Sequence, residues 1–463
     1  AQVVPSSAIS LTSVGLNYNP VVSFSGAQEL KGVGDFIFSA SNTIIGVVQD
    51  RNSNGSVFAS TDNAGNPGPG LVNNNYTYSI DSQGSYGATT GASTFTSIVT
   101  GMYLSPSNAV GSLIYLGGIQ SSGNGGTISS VPTNFEIGGR TAQGNSNRIM
   151  NGHIAEVIYY NRGISDQERA QVQSYLGIKY GISIAPSTQP NYLASDGSTV
   201  WGSVSNTGYT NTVLGIGFDS TSGLNQKQST SSIGADIISF GLGSMASSNL
   251  DNGSSFSGDH SFLMIGNNGI SSSIINTIDL PVSPGTAQPM RMRLARVWKA
   301  QNTNGVGNIE LRFDLTGAFS STIGYLPSEL CLLVDHGTGS FTGTRVIGGE
   351  LIAALVAGTS NTYSFSNITL NTGDRFTVGL TKKAQSLAFT PPYRLTVDQT
   401  SSITATNSAT TGSASTVYTV TSGGGSVTLN SNTGQLTATG AGMVTLTAQV
   451  AANSDYAGAI TST

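Results

Sequence analysis

Residues 152–181 read GHIAEVIYYNRGISDQERAQVQSYLGIKYG, a strand-like run followed by a helix-like one. Residues 154–160 are a short apolar segment of strand length. Ser165 and Glu168 have the spacing of a capping box, in which the serine accepts from the glutamate amide and the glutamate reaches back. The stretch therefore predicts a strand over 154–160 and a helix over 166–180.

The predicted helix has one apolar stripe and a stop signal. Val172, Tyr175 and Leu176 fall on one face at helical spacing. Gly181 follows the last turn, as expected at a helix end. Because such a stripe is buried against a neighbouring layer, we expect the helix to pack on a β-sandwich.

The composition is typical of a secreted β-rich protein. Charged residues make up 9% of the 463 positions, against about 25% in an ordinary soluble domain, and 60 positions are glycine. The apolar fraction of 37% is sufficient for a core. A single cysteine excludes an intramolecular disulfide framework and a cysteine-rich zinc site.

Charge and hydropathy exclude two kinds of partner. The net charge of −5 is spread thinly and leaves no basic stripe for nucleic acid. The longest apolar run, Leu351 to Ala357, is far shorter than the roughly 20 residues that span a bilayer. The first five residues, AQVVP, lack the basic and apolar segments of a leader, so we expect an exported chain from which a leader has been cleaved.

The chain divides into three β-rich parts. Residues 1–185 alternate short apolar segments with Gly, Asn and Ser turns, the pattern of a sandwich or jelly roll. Residues 186–383 contain further strand candidates, including a long one from Met290 to Ala300. We predict an all-β chain: a concanavalin-like jelly-roll sandwich with a C-terminal helix, then a second β-sandwich domain.

Residues 384–463 complete the predicted architecture. Apolar residues at 444, 446, 448 and 450 alternate with Thr445, Thr447 and Gln449, as in a strand with one buried face and outward threonines. About 80 residues of short strands is the size of a small immunoglobulin-like sandwich. We therefore predict an immunoglobulin-like stalk repeat over 384–463.

Three short segments carry a family resemblance. FEIGGR at 135–140, GHIAEVIYYNR at 152–162 and SDQERAQVQSYLGIKYG at 165–181 resemble the C-terminal half of a concanavalin/laminin-G-like jelly roll. The resemblance implies the sandwich with a terminal helix that the pattern also predicts.

The later parts resemble modules of large surface proteins. VLGIGF at 213–218, RVWK at 296–299 and LLVD at 332–335 resemble the β domain that often follows this jelly roll in secreted Bacteroidota proteins. The segment from Gly434 to Tyr456 resembles a bacterial immunoglobulin-like repeat. In this order the modules resemble the N-terminal region of a large type IX-secreted adhesin of the gliding-motility kind. That resemblance implies a filament at the cell surface.

The residues give little support for catalysis. The seven glutamates are isolated in sequence, without the carboxylate pair of a glycoside hydrolase, and there is no G-x-S-x-G elbow. His153, His260 and His336 are expected as lone surface residues, and Cys331 as a small buried hydrophobe. We predict a non-enzymatic protein unless carboxylates from distant strands meet in space.

Glu156 is the best-placed glutamate, because it lies on a predicted strand. The structural alternative to a catalytic role is a carboxylate at the sandwich rim that pairs with Arg140 or Arg162.

Calcium is the one cofactor that the sequence suggests. Sandwich modules often clamp loops with Ca²⁺ through Asp, Asn and backbone oxygens. Asp62, Asn63 and Asn66 form an oxygen-rich loop, and Asp335 starts a loop where the resemblance implies an aspartate-rich site. The alternative for each loop is an Asx turn without metal.

Sugar binding by a lectin needs exposed aromatic rings. Tyr76 and Tyr78 follow three asparagines and are expected at the sandwich edge. Tyr86 follows Ser-Gln-Gly and is expected in a loop. Trp298 lies in a strand run and is expected in the core.

These observations favour a non-enzymatic, secreted, cell-surface adhesin that is attached to the outer membrane through regions not in this chain. Its expected partners are surface glycans or a solid substratum, together with secretion and motility machinery at the outer membrane. We expect residues 384–463 to be one repeat of a longer array. The alternative is a carbohydrate-binding lectin that acts through the jelly-roll loops.

Overall fold

A computed structural model shows that the described residues form 38 β-strands and one α-helix, which pair in antiparallel sheets. The all-β prediction is confirmed. The structure describes residues 2–5, 9–33, 41–50, 54–62, 68–74, 77–81, 85–90, 96–103, 112–121, 132–140, 148–185, 188, 190–232, 234, 236–281, 289–319, 324–342, 345–348, 350–351, 361–409, 412–423 and 425–463.

Residues 1–185 form two seven-stranded sheets and the helix α1 (Asp166–Tyr180). The strands are β1 (Gln2–Pro5), β2 (Ser10–Leu16), β3 (Asn19–Ser25), β4 (Gln28–Val33), β5 (Asn42–Asp50), β6 (Asn54–Thr61), β7 (Gly70–Asn74), β8 (Thr77–Asp81), β9 (Ser85–Thr90), β10 (Thr96–Tyr103), β11 (Ser112–Leu116), β12 (Ile119–Ser121), β13 (Asn134–Ile137) and β14 (Asn151–Tyr160). One sheet has the order β1-β4-β13-β6-β7-β8-β9 and the other β12-β11-β10-β5-β14-β3-β2.

The remaining strands are shorter on average. They are β15 (Tyr192–Leu193), β16 (Thr199–Trp201), β17 (Val213–Asp219), β18 (Leu224–Gln226), β19 (Gln228–Thr230), β20 (Ile238–Leu242), β21 (Ser261–Asn267), β22 (Ile275–Asn276), β23 (Met290–Leu294), β24 (Trp298–Thr303), β25 (Ile309–Asp314), β26 (Leu330–Asp335), β27 (Arg345–Gly348), β28 (Glu350–Leu351), β29 (Thr362–Ile368), β30 (Arg375–Thr381), β31 (Leu387–Phe389), β32 (Thr400–Ser402), β33 (Ala405–Asn407), β34 (Thr416–Gly423), β35 (Val427–Leu429), β36 (Gln435–Ala438), β37 (Val444–Val450) and β38 (Ala459–Ser462).

The chain folds into two compact units. The first comprises residues 1–271, 296–316 and 351–375, and the second comprises 272–295, 317–350 and 376–463. The first unit therefore continues across residue 185, the predicted end of the jelly roll. The division into domains 1–185, 186–383 and 384–463 stays a prediction.

Strand β5 explains how the first unit is layered. Ile44 and Val48 face the interior of the sandwich, whereas Ile45 and Val47 face a second core on the outer side of the same sheet. All four side chains are fully buried. A strand that is covered on both faces reads as a continuous apolar run, as IIGVV does here.

The helix α1 occupies that outer side, and its ends are those predicted from sequence. Ser165 and Glu168 form the reciprocal capping box, and Gly181 ends the helix in the left-handed conformation at φ 63°. Glycine is required there for a second reason, since a Cβ would clash with the Thr230 carbonyl oxygen. Of the predicted stripe, Leu176 is buried in the second core, while Val172 and Tyr175 are only half-buried.

One predicted strand was wrong. The segment from Met290 to Ala300 is divided between β23 and β24, because the chain leaves the sheet between them. Arg296, expected on the apolar side of that strand, donates from Nη1 to Oδ1 of the buried Asp236 at 3.2 Å. Its Nε also donates to the Ile270 carbonyl at 2.6 Å, so both of these partners of Arg296 at the break lie far from it in sequence. Trp298 is buried, as expected.

The second unit contains a small sandwich near the C-terminus. Its sheets are β31-β33, β32-β36-β35 and β34-β37-β38, and they enclose a core that includes Ile403, Tyr418 and Leu446. The alternation of β37 is less clean than predicted. Thr447, expected to face outward, is 4% exposed and lies 3.2 Å from the Thr421 hydroxyl.

Two further expectations concern the described residues. Cys331 is buried beside Met290, and burial raises the pKa of its thiol to about 12, as suits a small hydrophobe. Within the described part of the chain, no helix combines the length and the apolar character needed to cross a bilayer.

Candidate functional site

A cavity of about 360 Å³ opens beside helix α1 within the first unit. Its walls come from β14, α1, the β15 and β17–β18 region, and β21. The side chains that line it are Glu156, Ile158, Tyr160, Glu168, Gln171, Val172, Tyr175, Ile178, Leu193, Ser195, Asp219, Thr221, Ser222, Leu224 and Phe262. Its volume lies in the range of small-ligand pockets, which are about 300–1,000 Å³.

A β-bulge in β14 turns one wall of the cavity toward the helix. The register against β5 shifts between Ile154 and Glu156, so that Ala155 is the extra residue. Beyond the bulge, Ile158 and Tyr160 pack against the outer core, and the alternate residues pack inside the sandwich. The bulge therefore decides which side chains of β14 reach the cavity.

Glu156 is the centre of a hydrogen-bonded cluster that joins β14 to the helix. Lys179 Nζ donates to Glu156 Oε2 at 2.8 Å, and the Tyr180 hydroxyl lies 2.9 Å from the same oxygen. The Tyr175 hydroxyl donates to the Glu156 carboxylate at 3.2 Å and accepts from Lys179 Nζ at 2.6 Å. Pairing of Glu156 with Arg140 or Arg162 was wrong, because the helix supplies a closer cation.

Burial changes the protonation chemistry of this cluster. Burial and the neighbouring Glu156 charge raise the pKa of Tyr180 well above its usual range. Burial also raises the pKa of Tyr175. For Lys179 burial acts in the opposite direction, but hydrogen bonds to Glu156 and Tyr175 outweigh it and raise the pKa. At neutral pH the cluster therefore holds an ammonium and two neutral phenols.

Glu168 also lines the cavity and lies in the first turn of the helix. Arg162 binds its carboxylate through two nitrogens, at 2.6 and 3.0 Å. The Ser165 backbone amide donates to Glu168 Oε2 at 2.8 Å. These hydrogen bonds, Arg162 first, lower the pKa of Glu168 to about 2, so the group is ionised at any physiological pH.

Two half-buried tyrosines give the cavity its aromatic surface. Tyr160 ends β14, and the Arg162 guanidinium lies 5.8 Å from the centre of its ring. Tyr175 is on the helix, with Lys179 Nζ 5.0 Å from its ring centre. The cation near each ring, Arg162 or Lys179, also forms an ion pair with a carboxylate, and neither cation lines the cavity.

The far wall belongs to the segment that follows the helix. Gln171 Nε2 donates to the carbonyls of Ala194 at 3.3 Å and Ser195 at 2.7 Å. Ser195 in turn donates to Asp219, from its amide at 2.8 Å and from its hydroxyl at 2.7 Å. Asp219 is only 2% exposed, and these hydrogen bonds fix the position of its buried carboxylate.

His260 differs from the lone surface residue that was expected. It is half-buried, with Nε2 3.4 Å from Ser195 Oγ and 3.8 Å from Asp219 Oδ1. Asp219, Asp259 and His260 have possible metal-ligating atoms within 4.8 Å of one another. Both carboxylates already accept hydrogen bonds from serines, Asp219 from Ser195 and Asp259 from Ser220. The cluster is thus part of a hydrogen-bonded network that includes two serines.

Two of the three tyrosines predicted as sugar contacts lie in strands of the first sandwich sheet. Tyr78 lies in β8, and Tyr86 lies in β9, where its backbone pairs with Ile80. The loop position expected for Tyr86 is therefore wrong. Tyr76 lies outside the described residues. A role for these three residues in ligand binding stays a prediction.

The predicted calcium ligands lie in two separate loops. Asp62 is half-buried and directly follows β6, and Asn63 and Asn66 lie outside the described residues. Asp335 is 3% exposed and accepts from the Thr338 amide at 2.9 Å and the Gly339 amide at 2.8 Å, which are the contacts of an Asx turn. Calcium at either loop stays a prediction.

Sequence reasoning missed Tyr160, Tyr175 and Gln171 as candidate ligand contacts. Tyr175 was placed on a core-facing stripe, and Tyr160 was read only as part of a strand. One signal was available, since Gln171 lies at the edge of the Val172–Tyr175 stripe and places a polar side chain beside it.

Comparison with known families gives one match. A family model described as "Domain of unknown function (DUF8202)" matches residues 168–374. The match begins within helix α1, at a residue of the capping box. No curated protein matches the chain.

Solved structures are similar only over part of the chain. A native heptameric SAP-like pentraxin from Limulus polyphemus is 12% identical over 34% of this chain and 82% of its own, with a TM-score of 0.27. Domain 4 of the arabinanase AbnA from Geobacillus stearothermophilus, in complex with arabinotriose, is 10% identical over 35% and 83%, with a TM-score of 0.27. The IT-sialidase CBM40 of Ruminococcus gnavus, bound to α2,3-sialyllactose, is 16% identical over 30% and 95%, with a TM-score of 0.24. Similarity at this level establishes neither a ligand nor an activity.

Proposed function

We propose that this chain is the glycan-binding segment of a secreted surface adhesin, and that the cavity beside helix α1 is its glycan site. The observation that carries the proposal is the joint lining of the cavity by Tyr160 and Tyr175 rings and by hydrogen-bonding side chains. Sugars present apolar C–H faces and a rim of hydroxyls, so aromatic surface with nearby carboxylate, amide and hydroxyl groups matches both parts.

The states of the carboxylates support binding rather than hydrolysis. A glycosidase needs a carboxyl group that is protonated when it meets the glycosidic oxygen, together with a second, ionised one. The pKa of Glu168 is about 2, so it holds no proton to donate at neutral pH. Glu156 is engaged by Lys179, Tyr175 and Tyr180. The chain therefore acts on the glycan by holding it.

The adhesin part of the proposal rests on composition and on the second unit. Few charges and many glycines are the composition that we associate with a secreted β-rich protein. The small C-terminal sandwich would serve as one repeat of a stalk that carries the glycan site away from the cell. The partners would be glycans on a surface or substratum, with secretion and motility machinery at the base.

Substitution of Tyr160 tests the glycan site. We expect the full chain to bind neutral oligosaccharides on a glycan array, and Tyr160→Ala to weaken that binding about tenfold, as loss of an aromatic contact predicts. Tyr393→Ala is the matched control, because Tyr393 is fully exposed in the second unit. Equal loss in both variants, or no loss in Tyr160→Ala, would contradict the assignment of the cavity.

Labelling of intact cells tests the adhesin role. We expect gold-conjugated antibodies against residues 384–463 to mark extensions of the cell surface, and not the cytoplasm. Cells from which the protein has been deleted are the control. Label confined to the cytoplasm would contradict the adhesin role and would leave the glycan-binding test unaffected.

A further inference from the structure

The charged residues that line the cavity carry one sign. Glu156, Glu168 and Asp219 belong to the lining, which among the described residues contains no lysine, arginine or histidine. They come from three elements: β14, the first turn of α1 and the end of β17.

Two cations form ion pairs with these acidic residues. Lys179 Nζ binds Glu156 at 2.8 Å and Arg162 binds Glu168 at 2.6 Å, and neither cation lines the cavity. An ion pair whose negative end faces a cavity still leaves a negative potential there. Lys179 is further occupied by the Tyr175 hydroxyl, so it has little capacity left for an anionic ligand.

Of the three carboxylates, Asp219 is the one without a lysine or arginine partner among the described residues. Asp219 is 2% exposed and accepts from Ser195 and Ser222, which are uncharged. The nearest basic nitrogen, His260 Nε2, is 3.8 Å away and does not line the cavity. A buried charge is poorly screened by salt, so its field acts on whatever occupies the cavity.

We infer that the cavity takes neutral or amine-bearing sugars and excludes acidic ones, such as uronic and sialic acids. The inference rests on the proposed glycan site and adds the ligand class to it. A ligand carboxylate would be brought toward three carboxylates and would lose its hydration without gaining a cation in return. A neutral hydroxyl can donate to these same carboxylates, and an ammonium can do so more strongly.

The test uses three sugars of the same ring stereochemistry that are neutral, cationic and anionic. Glucose, glucosamine and glucuronate are coupled to beads, with galactose, galactosamine and galacturonate as a second series, and retention of the full chain is measured. We expect retention of the neutral or amine-bearing member of at least one series and loss of the uronate by about tenfold or more. Because the Glu156 and Glu168 side chains are 22% and 40% exposed, their share of that ratio should fall between low and high salt, whereas the share of the buried Asp219 should persist.

The variant Glu168→Gln connects the selectivity to the cavity. Glutamine is also accepted at this position of a capping box, so the helix end is retained. The variant removes one negative charge from the cavity lining and leaves Arg162 without its carboxylate partner. Uronate retention should therefore rise about fivefold. Asp398→Asn is the control: it removes a carboxylate outside the cavity at a left-handed position (φ 67°) that suits asparagine, and it should change nothing.

Each outcome decides between the two claims. Uronate retention by the wild type equal to that of the neutral sugar, or no response to Glu168→Gln, overturns the selectivity and leaves the glycan site standing. Absence of any retained sugar in both series, together with an empty glycan array, overturns the proposed function and with it this inference.

Discussion

Glu156 shows how one side chain can hold two elements together. It accepts from a lysine and two tyrosines of helix α1 while it lies on strand β14, next to the bulge. Sequence reasoning recognised Glu156 as the best-placed glutamate but assigned it an arginine partner. The error has a physical cause, because the cation comes from the last turn of a helix whose rotation over the sheet is not encoded locally.

Glu156→Gln should lower the free energy of unfolding by about 1–3 kcal/mol, since it leaves a half-buried ammonium without its counter-charge. Urea unfolding at pH 8 measures this change. The exposed Asp398→Asn replacement is the control and should stay within about 0.5 kcal/mol. If Glu156→Gln were as stable as the wild type, hydration would stabilise the Lys179 ammonium as well as the Glu156 carboxylate does.

The same cluster predicts a loss of stability at alkaline pH. The pKa values of Lys179, Tyr175 and Tyr180 are all raised in the folded protein, so the native state binds these protons more tightly than the unfolded chain does. The stabilisation is complete below the ordinary values near 10 and is lost as pH rises through the higher folded values. Melting temperatures measured from pH 8 to 11 should fall more steeply in the wild type than in Glu156→Gln.

At the scale of elements, helix α1 was predicted correctly because its signals are local. A capping box and a terminal glycine act within one turn of each end, and the structure has both. The strand over 290–300 failed for the opposite reason. Arg296 lies at the break and forms an ion pair with Asp236, which is distant in sequence. The cavity was missed because β14, α1, β17 and β21 each supply only part of it.

Ser165→Ala tests the helix start. Loss of the hydroxyl that accepts from the Glu168 amide should cost about 0.5–2 kcal/mol. The pKa of Glu168 is lowered to about 2, so the stability linked to its charge is present above its ordinary value of 4.5 and is lost as pH falls toward 2.

Melting temperatures between pH 5 and 2 check this prediction. We expect the acid-induced decrease to be smaller in Ser165→Ala than in the wild type, because Ser165 is one of the groups that hold the pKa of Glu168 down. Ser165→Thr keeps the hydroxyl and should behave as the wild type. An unchanged acid profile in Ser165→Ala would assign the low pKa to Arg162 and to the Ser165 backbone amide, which the variant retains.

At the scale of the whole molecule, one hydrophobic core contains residues from both sides of position 185, the predicted domain boundary. One core includes Leu16 and Val21 from the sandwich, Leu176 from the helix, and Trp201 and Phe262 from the part beyond. Sequence pattern separates such parts because it registers turns and composition. It does not register which apolar faces are buried against each other.

Asn17 connects these parts at the end of the helix. It is 4% exposed at a left-handed φ of 46°, and its amide donates to the carbonyls of Ile178 and Lys179, both at 3.1 Å. Its side-chain oxygen accepts from the Thr230 amide at 2.6 Å. Helix carbonyls that have no partner within the helix are thus satisfied by a residue from the sandwich.

Asn17→Ala should destabilise the first unit by about 3–5 kcal/mol, because it leaves buried polar groups unpaired and adds backbone strain. Chemical unfolding of the full chain, followed by tyrosine and tryptophan fluorescence, measures the change. Asn225→Ala, at an exposed position of the same unit, is the control and should have little effect. A small effect at Asn17 would show that water replaces its contacts.

The bulge makes Ala155 and the irregular pairing of β14 a single unit. Ala155 is the extra residue opposite Val47, and two successive residues therefore share one face of the strand. If the pairing became regular with Ala155 retained, every later residue would move to the opposite face, so Val157 and Tyr159 would face the cavity and Ile158 and Tyr160 would enter the sandwich. Deletion of Ala155 would instead keep each later residue opposite its present partner on β5. A substitution that favours regular pairing should therefore disturb the cavity more than removal of the residue itself.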